Sequence, residues 1–312
     1  MSTSAVIARV PRLGRIDARV VLAFMATWFL WGATFLAIRV AVTEIPPLFT
    51  AGLRFFIAGA LLYSILRLRG QPRPTRAQWG GVTVIAICMF VLTYGALFWA
   101  MQFVPSGVTA VIEATLPLTA MVFEVFIFRR QPLRWEMLAA VLLGFGGIAL
   151  LLWRAGGQMI PVGPCLVILA SGCAWTLGAV LTRSLSLPKS VPLAAGAEML
   201  VGGGILLVLA LLTGELHPLP HFSLRSGLAV LYLIVGGSLL GFTAYVWLLA
   251  RMPATRVASH AYVNPLVAVA LGYFVADEEV TPRMLLAAAL VVGSVILMLR
   301  EPRLAPAACE SK

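Results

Sequence analysis

Charge is scarce in this chain. Of its 312 residues 11% are charged, with only 12 acidic side chains against 23 lysines and arginines. Water-soluble domains carry about a quarter charged residues, so a soluble globular fold is excluded. Histidine is reduced to 3 residues and cysteine to 4. Cys88, Cys165, Cys173 and Cys309 form neither a CxxC pair nor a metal-ligand spacing, which argues against a zinc site or a disulfide framework. The HExxH, GxSxG and Walker lysine signatures are missing, and no acidic cluster lies inside an apolar run. A membrane-embedded hydrolase or transferase needs such a constellation. The sequence therefore points away from an enzyme, a metal or a cofactor. The net charge of +11 does not suggest nucleic acid either, because the arginines sit in short clusters between apolar runs and not on one face.

What the chain has in quantity is hydrophobic length. It is 61% hydrophobic, with a mean hydropathy of +0.99. Ten apolar runs are long enough to cross about 30 Å of hydrocarbon at about 1.5 Å per residue. They are Val20–Val42, Pro47–Leu66, Gly80–Phe98, Ser106–Phe128, Glu136–Trp153, Val162–Leu181, Val191–Leu212, Leu228–Ala250, Val257–Val275 and Met284–Leu299. The expected fold is an all-α integral membrane protein of ten transmembrane helices. An eight-span count competes, because the turns between runs three and four and between eight and nine are short. Pro105 and Pro253 favour ten. Arg9, Arg12, Arg15 and Arg19 precede a first run too long for a secretory peptide, and it reads as an uncleaved signal-anchor.

With ten spans and both termini cytoplasmic, the inner side receives the arginines at 67, 69, 73, 76, 129, 130, 134, 183, 251 and 256 and Lys189, besides the basic residues at the two ends. The outer side receives Arg154, Arg225 and Arg283. That asymmetry is the positive-inside pattern. The acidic group Asp277, Glu278 and Glu279 then falls outside, as a solvated turn.

The chain also repeats itself. WAMQFVPSGVTAVIEATLPL, starting at Trp99, returns as WLLARMPATRVASHAYVNPL from Trp247, with Pro105 and Pro117 matched by Pro253 and Pro265 at one offset. WGATFLAIR from Trp31 returns as WTLGAVLTR from Trp175. The organisation expected is a cytoplasmic segment 1–19, a first five-helix repeat over 20–153, a second over 162–299, and a disordered tail 304–312. Five spans per half is an odd number, so the second repeat lies inverted in the membrane. Pro117 and Pro265 each interrupt a hydrophobic segment, and paired interruptions in two halves point to a transporter's binding site.

WGATFLAIR in the first span, PPLFTAGLRFFIAGALL around the second, and PLTAMVFEVFIF and PLVAVALGYFVADEEV ending the fourth and ninth resemble the drug/metabolite transporter superfamily. Within it they resemble the EamA-type ten-helix carriers, over nearly the whole chain. The aromatic content is similar to the YddG-type exporters of aromatic amino acids. The resemblance implies two inverted five-helix repeats, alternating access, and a central cavity lined by the first four helices of each half.

Glu113 is the sharpest candidate, roughly 12 Å into the bilayer by helical rise and four residues before Pro117. Intramembrane carboxylates usually face a cavity. Three roles are open to it: holding a substrate ammonium, carrying a proton, or a structural hydrogen bond. Arg54 could meet a substrate carboxylate, neutralise Glu113 or snorkel to the interface. In the second half His260, Tyr262 and Asn264 precede Pro265, with Asn264 at comparable depth and His260 shallower. Trp31, Tyr94, Trp175 and Tyr245 lie in spans that the resemblance places around the cavity, where rings favour an aromatic or bulky apolar side chain. Each could equally serve helix packing. The function expected is a secondary transporter exporting aromatic or other apolar amino acids across the inner membrane. A broad exporter of cationic drugs and a sugar or nucleoside carrier are the alternatives. The expected partners are a small-molecule substrate and the lipid bilayer. The small residues of LLGFGG and around Gly293 suit either internal packing or a homodimer.

Overall fold

In the computed structural model, residues 17–128, 135–153, 161–182, 184–217, 222–249, 251, 257 and 260–299 are described. The expected tail 304–312, most of the N-terminal segment 1–19, and the loop arginines at 129, 130, 134 and 256 lie outside them. Among the described residues all regular structure is helical. Eight helices are long and apolar enough to cross a membrane: α1 (Ala18–Val42), α2 (Pro47–Leu68), α3 (Arg76–Ala100), α4 (Ser106–Ile127), α5 (Trp135–Leu152), α6 (Val162–Leu181), α7 (Val191–Leu212) and α8 (Leu224–Leu248). Two further apolar helices follow, α9 (His260–Ala276) and α10 (Pro282–Leu299). A helix satisfies its own backbone, which is what hydrocarbon demands. Large apolar side chains project outward along these helices, among them Leu22, Phe126, Leu142, Leu212 and Phe274.

Local chemistry sets the helix ends. Asp17 accepts from the Arg19 amide at 2.9 Å to start α1. Thr75 and Gln78 form a reciprocal capping box at α3, which begins before the apolar run does because the cap dictates the first turn. α2 and α7 carry proline in the first turn, where a missing N–H costs nothing. α3 and α8 both contain a π-helical stretch, Ile87–Leu92 and Leu233–Leu240.

The helices pair across the two halves of the chain. α2 lies along α7 and α5 along α10; α1 packs on α8 and α9, as α6 packs on α3 and α4. Glycine makes the α2–α7 crossing close. A Cβ on Gly52 would meet the backbone of Leu207 at 2.8 Å, and one on Gly59 that of Leu200 at 2.3 Å. From the other side, Gly196 faces Tyr63 and Gly203 faces Phe56, at 3.0 and 2.2 Å. As the glycine number rises the partner number falls, so the two helices run antiparallel. Gly52 and Gly196, like Gly59 and Gly203, stand at a common offset, so the crossing reads the same from either helix.

At the end where α2, α4 and α8 begin, three glutamates reach across the molecule to cap a helix of the other half. Glu215 accepts from the amides of Leu48 and Phe49 at 3.3 and 2.9 Å. Glu278 accepts from the Ser106 amide at 2.8 Å, the Ser106 hydroxyl at 2.9 Å and the Gly107 amide at 3.1 Å. The acidic turn is therefore not simply solvated, because Glu278 is committed to the start of α4. Asp277 turns the chain there with φ +53°. Glu44 accepts from the Ser223 amide at 3.3 Å. Hydrogen bonds from the side chains of Ser223 and Ser226 hold its carboxyl below the usual carboxylate range. With its pKa depressed by folding, this contact persists above that range and is lost only as the pH falls through the lowered value.

Candidate functional site

Pro117 breaks α4 into two helical pieces. The first, Ser106–Glu113, ends with Ala114 as its cap, and the second starts at Leu116 with Pro117 in its first turn. Thr115 bridges the break: its amide and hydroxyl both donate to Ile112 O, at 3.0 and 2.7 Å, and its carbonyl accepts from Leu118. Glu113 is thus the last residue of a half-helix. Pro265 behaves differently from the matched interruption expected of it, for it sits within α9 without breaking it. The neighbouring Asn264 braces the turn. With its amide nitrogen facing the carbonyls, it donates to His260 O at 3.1 Å and to Trp28 O on α1 at 3.0 Å.

Glu113 has little to neutralise it. Ser171 Oγ on α6 lies 3.4 Å from its Oε1, but the same hydroxyl has a better acceptor in Ile168 O at 2.7 Å. A single proton cannot serve both well. Tyr94 on α3 is within electrostatic range of both Glu113 and Arg54. Its ring is packed by Phe55 at 4.5 Å between centroids and met edge-on by Trp175 at 6.0 Å. Arg54 on α2 is 4% exposed, its guanidinium carbon 4.7 Å from the Phe55 ring centre and 5.5 Å from that of Tyr94. Arg54 Nε donates to Ser238 Oγ on α8 at 2.9 Å.

A second group of rings adjoins the first. Trp31, Tyr245 and His260 come from α1, α8 and α9, and their centroids stand 5.1 to 5.6 Å apart. Trp31 Nε1 donates to Gly237 O at 3.0 Å, next to the Ser238 that holds Arg54. His260 is therefore packed among rings. Its Nδ1 lies 2.9 Å from Val257 O.

The structure thus brings Tyr94 near Glu113, with Trp175 against the Tyr94 ring, and groups Trp31, Tyr245 and His260 next to the Ser238 that holds Arg54. It does not bring Tyr262, which packs with Leu118, Ala140 and Val295 between α4, α5 and α10. Asn264 gives its amide donors to His260 O on its own helix and to Trp28 O on α1. Ser171 and Ser238 were not foreseen. A serine in an apolar run is a weak signal, because most donate to their own helix, and only the neighbouring helix shows otherwise.

The EamA-like transporter family matches this chain twice, over residues 18–153 and 163–300. A relative named as an uncharacterized inner membrane transporter, YedA of Escherichia coli (strain K12), is 35% identical over 290 residues, 91% of this chain and 92% of that protein. YoaV of Bacillus subtilis (strain 168), named as an uncharacterized transporter, is 24% identical over 285 residues, 89% and 96% of the two chains. A crystal structure described only as that of a protein, 22% identical, superposes with a TM-score of 0.61 over 91% of this chain and 97% of the other. That likeness shows a shared fold. With the family matched over both halves, and eight apolar helices of spanning length, the chain belongs to the EamA-like transporter family and is a multi-pass membrane transporter of that family.

Proposed function

We propose that the protein is a secondary transporter that exports aromatic or other apolar amino acids across the inner membrane by alternating access. The observation that carries this reading is Glu113. A carboxylate ends a half-helix within electrostatic range of Tyr94, whose ring packs with Phe55 and Trp175, with only a 3.4 Å serine contact to offset its charge. The C-terminal end of a helix is the negative end of its dipole, so the carbonyls there add to the carboxylate and favour an arriving ammonium. Tyr94, Trp175, Trp31 and Tyr245 offer ring faces and edges to an apolar side chain. The test is uptake by purified protein in liposomes, with and without a pH gradient, against a panel from alanine to tryptophan. Uptake that rises with the size of the ring supports the reading. Indifference to every amino acid, with transport of an organic cation, would replace it by the drug-exporter alternative.

The architecture proposed with it is ten spans in two inverted five-helix repeats, α9 and α10 completing the count, with both termini cytoplasmic. The double family match and the reciprocal α2–α7 glycines support the repeat. The orientation rests on loop arginines. A reporter active only in the cytoplasm should work when fused after Arg130 or Arg256 and be silent after Glu278. A cytoplasmic signal at Glu278 would overturn the orientation.

A further inference from the structure

Arg54 is a cation that meets no anion among the described residues. Its guanidinium has five N–H donors, yet it is 4% exposed and its Nη1 is buried with no hydrogen-bond partner. Among the described residues no carboxylate forms an ion pair with it. The Phe55 and Tyr94 rings lie near its guanidinium carbon and offset part of its charge, but they present no lone pair to Nη1. Tyr232, the other titratable neighbour, turns its hydroxyl away to Leu30 O at 2.9 Å. The remaining contacts hold the guanidinium in place and leave it unneutralised. Ser238 takes Nε, and Gly237 lies so close that a Cβ there would stand 3.0 Å from Nη2 and 2.7 Å from Thr34 Cγ2. The fork is therefore held from α8, with its Nη1 edge unused. A buried cation in a membrane protein is costly and marks a substrate path by default, and a planar fork matches the two oxygens of a carboxylate.

We propose that Arg54 receives the carboxylate of the transported substrate, with Tyr94 as the neighbour it shares with Glu113. This deepens the amino-acid reading and rests on it for the ammonium only. The transporter would then select for a carboxylate through Arg54 and for an ammonium through Glu113.

Three probes that share one ring separate the two contributions: L-phenylalanine, 3-phenylpropanoate, which lacks the ammonium, and phenethylamine, which lacks the carboxylate. Binding of each to the purified full-length protein is measured by calorimetry for wild type, Arg54→Gln and Arg54→Lys. Arg54→Gln is expected to weaken phenylalanine and phenylpropanoate by roughly ten- to a hundredfold, as for losing a hydrogen bond to a charged group, and to leave phenethylamine nearly unchanged. Arg54→Lys keeps the charge without the fork, so its loss should be smaller and confined to the same two probes. Equal weakening of all three probes, or no weakening of phenylalanine, would make Arg54 a structural cross-link and overturn the proposal. Should Arg54→Gln leave no folded protein, Arg54→Lys decides by the same comparison. If wild type binds phenylpropanoate through Arg54 but not phenylalanine, the carboxylate site stands and the amino-acid reading falls. If wild type binds neither carboxylate, the proposal itself falls.

Discussion

Glu113→Gln is expected to slow amino-acid transport by roughly one to two orders of magnitude, the effect of removing a charged hydrogen-bond partner of about 1.5–3 kcal/mol. The substitution keeps the shape of the side chain and its reach to Ser171, so what it removes is the charge. That charge sits at the end of Ser106–Glu113, where Pro117 prevents the helix from continuing. In a site screened from water, an ammonium that loses its anion finds no equivalent partner, because Ser171 is committed to Ile168 O. Competition by free phenylalanine against a labelled substrate in liposomes gives the measurement. A drug exporter would lose cation transport while phenylalanine never competed. A structural glutamate would show itself as less protein in the membrane, with the remainder transporting at the wild-type rate.

Glu278→Ala is expected to release the start of α4. The carboxylate takes three donors, the Ser106 amide and hydroxyl and the Gly107 amide, at 2.8 to 3.1 Å. A negative charge at a helix N-terminus is favoured by the dipole, and the bonds are charge-assisted. Their combined loss should cost about 2–3 kcal/mol locally, or roughly 30- to 140-fold faster amide exchange at the first turn. Exchange of Ser106 and Gly107, read by mass spectrometry on the full chain, checks this. Glu278→Gln should fall between, since one amide oxygen can accept but carries no charge. Unchanged exchange at 106 and 107 in Glu278→Ala would mean that packing alone holds the helix start. Because Glu215 and Glu44 cap α2 and α8 at the same end, the first turns of those helices should keep wild-type exchange in this variant.

Much of the architecture was legible because its signals are local. An apolar run long enough to span, a proline that removes one N–H, and an ionisable residue deep in such a run are properties of a few consecutive residues. The first eight runs became spanning helices, with shifts of a few residues where a cap such as Thr75 with Gln78, or Ser223, set the first turn. Glu113 was legible for the same reason, being a charge beside a proline. The family was legible because several degenerate motifs came in order along the chain.

What the sequence by itself determined is therefore which segments are helical and apolar, where they break, and which buried groups need an explanation. Only the tertiary structure decided how those needs are met. Pro117 and Pro265 have the same sequence position in their halves, yet one ends a helix while the other is accommodated within one, beside an Asn264 side chain that ties its helix to α1. Tyr262 and His260 are two residues apart, and the turn of one helix sends them to different neighbours. Arg54 meets Ser238 and Glu278 meets Ser106 across long stretches of chain, in pairings that nothing in either local sequence encodes. They are settled by packing, which, unlike helix formation, depends on which distant surfaces fit.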